Sequence, residues 1–351
     1  MKNILHIYGS ILIILVLYVL AYLINIRYDL NSLQYLISMD SVYFDHVKFN
    51  QSEIIELYSK TFDKEAKYQT TVVSVYFSFN KSKHSKNEYN IWNRNMLLSI
   101  DAPLVIFTDH KSKDFIMETR SANRSFTTIL FVYNDVWHLM NELEIKRNRP
   151  YKNNYIYQQN SKDPEGKIHS PELYAVWNLK VFMLAKIATL NRFKSEFFIY
   201  TDMGSWRSGV LAHWPDEQFI RLLVDLLSDR MFFAQISDYL FYNPYKDVLQ
   251  GTFYAGSREA VIDFEKKFYD LHDRRIDQGI FIGKDQTLIN IYEFELSKGR
   301  NVKLRTWLHN QCNGRDKTRG FDKWWFYQFY FSKREHFDCD YDDKFSLLTN
   351  L

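Results

Sequence analysis

The chain has 351 residues, of which 46% are hydrophobic and 25% are charged. These proportions are typical of a globular protein with room for one large domain or two small ones. The net charge of +3 excludes the strongly basic composition that is typical of nucleic-acid-binding proteins.

The N-terminal segment predicts a membrane anchor. Residues 4–26 carry no Asp, Glu, Lys or Arg and are long enough to cross a bilayer as a helix. No cleavage motif of small residues ends this segment, which favours an uncleaved signal-anchor over a removed signal peptide. We expect a cytoplasmic tail at 1–3, a transmembrane helix at 4–26 and nearly all of the mass in the lumen of the Golgi or ER. That is the arrangement of a single-pass type II membrane protein; a secreted protein is the alternative.

Two further features agree with a lumen. Asn50, Asn80 and Asn123 begin N-glycosylation sequons, which indicates a glycoprotein. Cys312 and Cys339 are the only cysteines, and in an oxidising compartment they would either pair or remain as two core thiols.

The remaining chain divides into a stem at 27–68 and a globular domain at 69–351. The stem mixes polar and apolar residues, with helical periodicity between Gln51 and Phe62. Strand and helix patterns then alternate, which predicts an α/β fold with a doubly wound, mostly parallel sheet flanked by helices. The predicted strands are 70–77, 103–107, 126–133, 197–200, 231–236 and 252–254; the predicted helices are 89–99, 171–190, 258–271 and 286–296. Residues 144–170 are predicted to form an irregular loop over the site.

The segment 196–207 points to a ligand site. Its short apolar run, 197–200, is followed by Asp202 and Gly204. A buried parallel strand delivers its last residues to the carboxyl edge of the sheet, where α/β folds bind ligands. We therefore expect Asp202 to contact a ligand, Gly204 to let the backbone approach it closely, and Arg207 to bind it from the same segment. Alternatively, Asp202 only caps the next turn.

Two more charged residues are predicted at the same edge. Lys180 falls within the apolar stripe of the helix 171–190, so it either reaches the surface or meets an anion such as a phosphate. Asp109 ends an earlier strand, and with Asp202 it would hold ribose hydroxyls or a divalent metal ion, Mn²⁺ or Mg²⁺. Asp109 as a simple helix cap is the alternative.

Two C-terminal segments supply the other candidates. Asp285 and Gln286 stand at the start of a helix, where polar groups are presented to a ligand or cap the helix. Further on, His309 and Lys317 lie in a polar, basic segment that would provide a metal ligand and a phosphate contact. The chain shows no His-Glu-x-x-His or Gly-x-Ser-x-Gly motif, so hydrolase chemistry is poorly supported.

The order of these short motifs resembles the HtrL/YibB-like family of glycosyltransferase-like proteins, which includes bacterial WlaTC-type proteins. The resemblance covers most of the globular part, from about Val72 to Asn290. It is carried by Thr71, Val72, Val73, Tyr76, Phe77, Tyr89, Trp92, 103–105, Thr108, Asp109, 171–173, Asn178, Lys180, 195–198, Thr201, Asp202, Gly204, Gly251, Phe253, Gly256, Asp285 and Gln286.

The resemblance implies a GT-A-like (Rossmann-like) fold, a nucleotide-sugar donor and sugar transfer to a glycan or protein acceptor. Asp202 would stand at the Asp-x-Asp metal motif of GT-A enzymes, although Gly204 replaces the second carboxylate. The segment from His309 to Lys317 is similar to a His-x-x-Gly-x-x-Lys motif but has two extra residues. Asp285 would act as the base in an inverting reaction, whereas Gln286 would support a retaining one.

Other classes of protein fit the same residues. One is a catalytically inactive GT-A-like protein that binds glycans or partners, which the missing second carboxylate would explain. Another is a nucleotidyl or sugar-phosphate transferase that uses the same sheet edge. A third is a secreted binding protein.

Overall fold

A nine-stranded mixed sheet organises the chain. The structure is a computed structural model that describes residues 52–58, 63, 66–79, 81, 83–121, 127–227, 229–238, 243, 245–311, 322–337 and 339–349, without the side chains of 309–311. The strands are β1 (Ser52–Leu57), β2 (Thr70–Tyr76), β3 (Leu104–Asp109), β4 (Thr128–Tyr133), β5 (Phe197–Thr201), β6 (Phe232–Gln235), β7 (Leu249–Ser257), β8 (Val302–Arg305) and β9 (Leu348–Thr349). Their order across the sheet is β1-β4-β3-β2-β5-β7-β6-β8-β9.

The prediction of a mostly parallel sheet describes one half of it. Strands β4, β3, β2 and β5 are parallel neighbours. Beyond β5 the sheet is mixed, because β7 runs antiparallel to both β5 and β6, while β6 and β8 are parallel. The α/β class is therefore confirmed, and the parallel arrangement is confirmed from β4 to β5 and for the pair β6 and β8.

The helices cover both faces of the sheet. They are α1 (Lys86–Ser99), α2 (Lys113–Ser121), α3 (Val136–Arg147), α4 (Asn160–Lys162), α5 (Pro171–Leu190), α6 (Glu217–Leu227), α7 (Arg258–Asp277), α8 (Asp285–Ile291), α9 (Phe326–Tyr330) and α10 (Tyr341–Ser346). Short π-helical turns occur at Asn154–Gln159 and Tyr292–Leu296, and 3₁₀ turns occur at Met203–Ser205 and Thr306–Gln311.

Side-chain alternation in the central strands builds two cores. In β3, Val105 and Phe107 pack on the face that carries α3, α5 and α7, whereas Leu104 and Ile106 pack on the opposite face with α1 and α2. Successive residues of a strand point to opposite sides, and both sides are covered here, so every residue of β3 is buried. Packing on both faces therefore holds in place the strands whose carboxyl ends form the site.

The helix α5 is the longest apolar helix at the site. It begins at Pro171, which suits the first turn because it lacks an N–H to satisfy there, and it ends at Asn191 in the left-handed conformation. Within the described residues, it alone has the length and apolarity to cross a membrane, but 72% of its most apolar window is buried inside the protein. We conclude that α5 is a core helix.

Two local predictions are wrong. The helical periodicity between Gln51 and Phe62 does not produce a helix, because Ser52–Leu57 pairs with β4 as the antiparallel edge strand β1. This strand lies within 27–68, the segment assigned to a stem. The segment 144–170 is also more ordered than predicted, because it includes the end of α3, a π-helical turn and α4.

Candidate functional site

A cavity of about 610 Å³ opens at the carboxyl ends of β2 and β5. Tyr76 and Phe77 line it at the end of β2, and Asp202 lines it directly after β5. Trp177 and Lys180 reach it from α5. The cavity therefore lies where the sequence predicted a ligand, at the edge to which parallel strands deliver their last residues.

Lys180 lies between two carboxylates beneath this cavity. Its Nζ is 3.0 Å from Asp202 Oδ2 and 3.2 Å from Asp285 Oδ2, and it donates to the carbonyl oxygen of Gly251 at 3.1 Å. Burial lowers the pKa of Lys180, but the adjacent Asp202 and Asp285 carboxylates raise it more, so the net shift is upward. The ammonium group is thus charged; it donates hydrogen bonds to Asp202 and Gly251 and forms an ion pair with Asp285.

Asp202 connects this buried group to the cavity. Its Oδ1 accepts a hydrogen bond from the Tyr200 hydroxyl, and its Oδ2 accepts one from Lys180. The side chain remains 23% exposed, so it also faces the cavity. Burial, followed by the charge of Asp202, raises the pKa of Tyr200 well above its ordinary value, and the phenol therefore stays a donor.

Asp285 is buried behind Lys180 and does not line the cavity. Burial raises the pKa of Asp285 to about 6, a shift that Lys180 limits and Asp202 increases. A Cβ at Gly251 would lie 2.7 Å from Asp285 Oδ1 and 2.8 Å from Oδ2. A glycine in β7 is therefore what lets the start of α8 bring this carboxylate to Lys180.

Lys180 occupies the position where a metal ion shared by Asp202 and Asp285 would lie. Its Nζ is 3.0 Å from Asp202 Oδ2 and 3.2 Å from Asp285 Oδ2, so these two oxygens do not fit a shared Mn²⁺ or Mg²⁺ ion while the ammonium group is in place. In the part of the chain that the structure describes, no group of three or more His, Cys, Asp or Glu side chains is placed to hold a metal ion.

Cations and aromatic rings form the rim of the cavity. Arg207 lies between two indole rings, with its guanidinium carbon 4.1 Å from the ring centroid of Trp92 and 4.8 Å from that of Trp325. Lys86, at the start of α1, and Lys83, in the segment before it, line the same cavity. The described lining residues include more basic than acidic side chains. Five are lysine or arginine (Lys81, Lys83, Lys86, Lys180 and Arg207) and two are aspartate (Asp202 and Asp322). The rim thus favours an anionic ligand.

A hydrogen-bonded histidine closes another side of the cavity. His169 Nδ1 is 2.8 Å from Asp163 Oδ2, and the Tyr174 hydroxyl donates to the same oxygen at 2.6 Å. Burial acts to raise the pKa of Asp163, but hydrogen bonds from Tyr174, the Glu165 amide and His169 lower it overall. The ionised Asp163 assigns the imidazole proton to Nδ1, so Nε2 of this cavity-lining residue is an acceptor in the neutral ring.

Of the other predicted site residues, Asp109 and Gln286 lie apart from this arrangement, whereas Gly204 is part of it. Asp109 is buried in an adjoining cavity of about 280 Å³, and its carboxylate accepts the backbone amides of Ser78 and Ser112. Asp109 therefore stabilises the turn before α2 and the segment after β2. Gln286 begins α8 beside Asp285, and its side-chain amide donates to the Leu249 carbonyl at 2.6 Å. Gly204 lines the main cavity, where a Cβ would lie 3.1 Å from the Tyr89 ring.

Several predictions fall outside the described part of the structure. They concern the side chain of His309, the whole of Lys317 and Cys312, the three sequon asparagines, and the segments 1–3 and 4–26. Cys339 is buried and disulfide-bonded.

Several residues that support the site were not predicted from the sequence. Asp163 and His169 stand in a segment without periodicity, so no pattern indicated that they meet. Trp92 was noted only as part of the resemblance, and Trp325 is too distant from it along the chain for a local pattern to pair them. Gly251 was noted only as part of a resemblance, because its role depends on the position of Asp285.

A family model matches residues 68–309, which include all strands from β2 to β8 in chain order. The chain belongs to the HtrL_YibB family. This family is described as bacterial protein of unknown function. No curated protein matches the chain. Among solved structures, this HtrL_YibB protein is similar to the apo form of mouse xyloside xylosyltransferase 1, at 10% identity and a TM-score of 0.42. The match covers 66% of this chain and 83% of the mouse chain.

Proposed function

We propose that this HtrL_YibB protein is a glycosyltransferase that moves a sugar from a nucleotide-sugar donor to a glycan or glycoprotein acceptor. The observation that carries the proposal is the cavity at the carboxyl ends of β2 and β5, with Asp202 at its base, aromatic walls and an excess of cations. A nucleoside diphosphate presents both a flat base and a negative charge, which are complementary to such a surface.

The lining residues suggest a division of roles in donor binding. The exposed part of the Asp202 carboxylate would accept hydrogen bonds from ribose or sugar hydroxyls. The Lys83, Lys86 and Arg207 side chains would offset the diphosphate charge, and the predicted contact from Lys317 would add to it. Preorganised cations of this kind stabilise the charge that develops on a leaving diphosphate.

The start of α8 supports a positioning role more than a direct catalytic one. Asp285 contacts Lys180 and is shielded from the cavity, so it would orient Asp202 through Lys180. His169 lines the cavity directly and is better placed to meet an acceptor hydroxyl if transfer inverts the sugar. The inverting and retaining alternatives for Asp285 and Gln286 remain predictions.

Donor binding is testable with nucleoside diphosphates. We expect isothermal titration of the full chain in detergent to show binding of at least one of UDP, GDP and ADP. Asp202→Asn should weaken that binding by about ten-fold or more, because it removes a charged acceptor at the cavity base. Asp225→Asn, at an exposed position on α6, is the matched control and should leave binding unchanged. Equal affinity in the Asp202 variant would refute the assignment of Asp202.

A catalytically inactive, nucleotide- or glycan-binding protein is the second candidate. It is favoured by the fact that Lys180 engages both Asp202 and Asp285. Binding of a nucleoside diphosphate without turnover of any nucleotide sugar would support it over an enzyme.

We propose that the predicted anchor at 4–26 holds the same domain at a membrane. In a secretory pathway the domain would face the lumen of the Golgi or ER. In a bacterium, as the family description indicates, the anchor would hold it at the inner membrane. Fractionation of the full chain against a variant lacking residues 1–26 tests the anchor. Glycosidase treatment of Asn80→Gln and Asn123→Gln variants tests the luminal side.

A further inference from the structure

Three oxygens surround one buried cation at the base of the cavity. They are Asp202 Oδ2, Asp285 Oδ2 and the Gly251 carbonyl oxygen, all between 3.0 and 3.2 Å from Lys180 Nζ. Asp285 is buried and Asp202 is 23% exposed, and two carboxylates on one nitrogen at these distances repel each other unless a cation lies between them. Lys180 is the side chain that meets this requirement, and it is 2% exposed.

The same position is where a divalent ion bridging Asp202 and Asp285 would lie. A metal ion there would have to displace the ammonium group, break the Lys180 hydrogen bonds to Asp202 and Gly251, and leave a lysine buried without a partner. Burying an unpaired charge is far more costly than keeping the existing contacts. A lysine and a metal ion therefore exclude each other at this point.

We infer that Lys180 is the built-in cation of this site and that nucleoside-diphosphate binding in the cavity is independent of divalent metal ions. Lys180 orients Asp202 and offsets the charge of the carboxylate pair, as a bound ion would. The inference rests on the proposed function for its nucleotide part, while the metal part depends only on Lys180, Asp202 and Asp285.

The positive side chains on the rim of the cavity agree with the inference that no metal ion is needed. The rim side chains Lys83, Lys86 and Arg207 line the cavity without any acidic hydrogen-bond partner among the described residues. They supply the positive charge that a diphosphate would otherwise receive from a metal ion.

The metal part is tested first, with Mn²⁺ alone. Electron paramagnetic resonance of free Mn²⁺ during titration of the full chain measures the ion that the protein takes up. We expect the wild type to show no site that depends on Asp202. Lys180→Ala should create one, with affinity at least about ten-fold tighter than the wild type, because two carboxylates then face a vacant position. Adding Asp285→Asn to that variant should abolish the site.

A control variant and the wild type keep this experiment decisive. Lys266→Ala, at an exposed position on α7, removes a lysine elsewhere and should leave Mn²⁺ uptake unchanged. If Lys180→Ala does not fold, the wild type still decides the question. Mn²⁺ uptake by the wild type that disappears in Asp202→Asn would overturn the inference, and so would a folded Lys180→Ala that gains no site.

The nucleotide part is tested by titrating UDP in EDTA and then in Mn²⁺. We expect the two dissociation constants to agree within about two-fold. Binding that tightens about ten-fold or more with Mn²⁺ would overturn metal independence while leaving the proposed function intact. If no nucleoside diphosphate binds under either condition, the proposed function fails, and the Mn²⁺ titration still decides whether Lys180 replaces the metal.

Discussion

The chemistry of single residues at this site follows from one buried lysine. A charged side chain in the apolar stripe of a helix either reaches the surface or requires a partner, so the sequence predicted a surface position or an anion for Lys180. The anions proved to be the protein's own, Asp202 and Asp285, together with the Gly251 carbonyl. The pattern of α5 alone does not show which strand or helix faces Lys180, and for that reason the partners were not predicted.

The buried Asp285 should make stability depend on pH. Its pKa is raised to about 6 in the folded state, above the ordinary aspartate value that applies when the chain is unfolded. The folded state therefore binds the proton more tightly, so the associated stability is present at low pH and is lost as pH rises through about 6. Urea unfolding of the wild type and Asp285→Asn, from about pH 4.5 to about pH 7.5, should show the wild type losing stability relative to the variant. Parallel pH profiles would contradict the raised pKa.

We expect the position of Asp285 to require a glycine at residue 251. In Gly251→Ala the new Cβ would approach the carboxylate oxygens to 2.7 and 2.8 Å, which forces the start of α8 to move. We expect a loss of about 1–3 kcal/mol in the free energy of unfolding, as is typical of overpacking. The same substitution should cost less when Asp285 is also replaced by alanine, because the clashing atoms are gone. Additive effects in this double-mutant cycle would show that the two residues do not interact.

At the scale of elements, side-chain patterns predicted the central strands well because burial on both faces leaves few alternatives. The strands β2, β3, β4 and β5 and the helix α5 lie where apolar runs and the Pro171 start indicated. The strand β1 was missed because its structure depends on pairing with β4, which local periodicity does not reveal. The π-helical turn and α4 were missed because the polar segment 154–162 lacks a repeating pattern.

The segment that carries Asp163 and His169 should depend on its attachment to α5. Tyr174→Phe removes the hydroxyl that donates to Asp163 Oδ2 at 2.6 Å and leaves a buried carboxylate with one donor fewer. We expect the free energy of unfolding to fall by about 1–3 kcal/mol, the usual cost of a lost hydrogen bond to a charged group. Tyr157→Phe, at a residue that is 74% exposed, is the control and should have little effect. If Tyr174→Phe and Tyr157→Phe have the same free energy of unfolding in urea, the hydrogen bond to Asp163 does not stabilise this segment.

At the scale of the whole molecule, the α/β class and the family could be predicted, but the sheet order could not. Motif order carried the resemblance to HtrL/YibB, and the family model over residues 68–309 confirms it. The antiparallel β7 between β5 and β6 depends on contacts across the sheet rather than on its own sequence. Of the candidate site, Lys180, Asp202, Gly204 and Arg207 meet at one cavity, and Asp285 supports it from behind.

The central claim is that this cavity turns over a nucleotide sugar. The direct measurement is the nucleoside diphosphate released when the full chain is incubated with a panel of nucleotide sugars in EDTA. We expect turnover of at least one donor, a loss of about 100-fold or more in Asp202→Asn, and no change in Asp225→Asn. Turnover that is the same in Asp202→Asn as in the wild type would contradict the account, and so would the absence of turnover with every donor, with and without Mn²⁺.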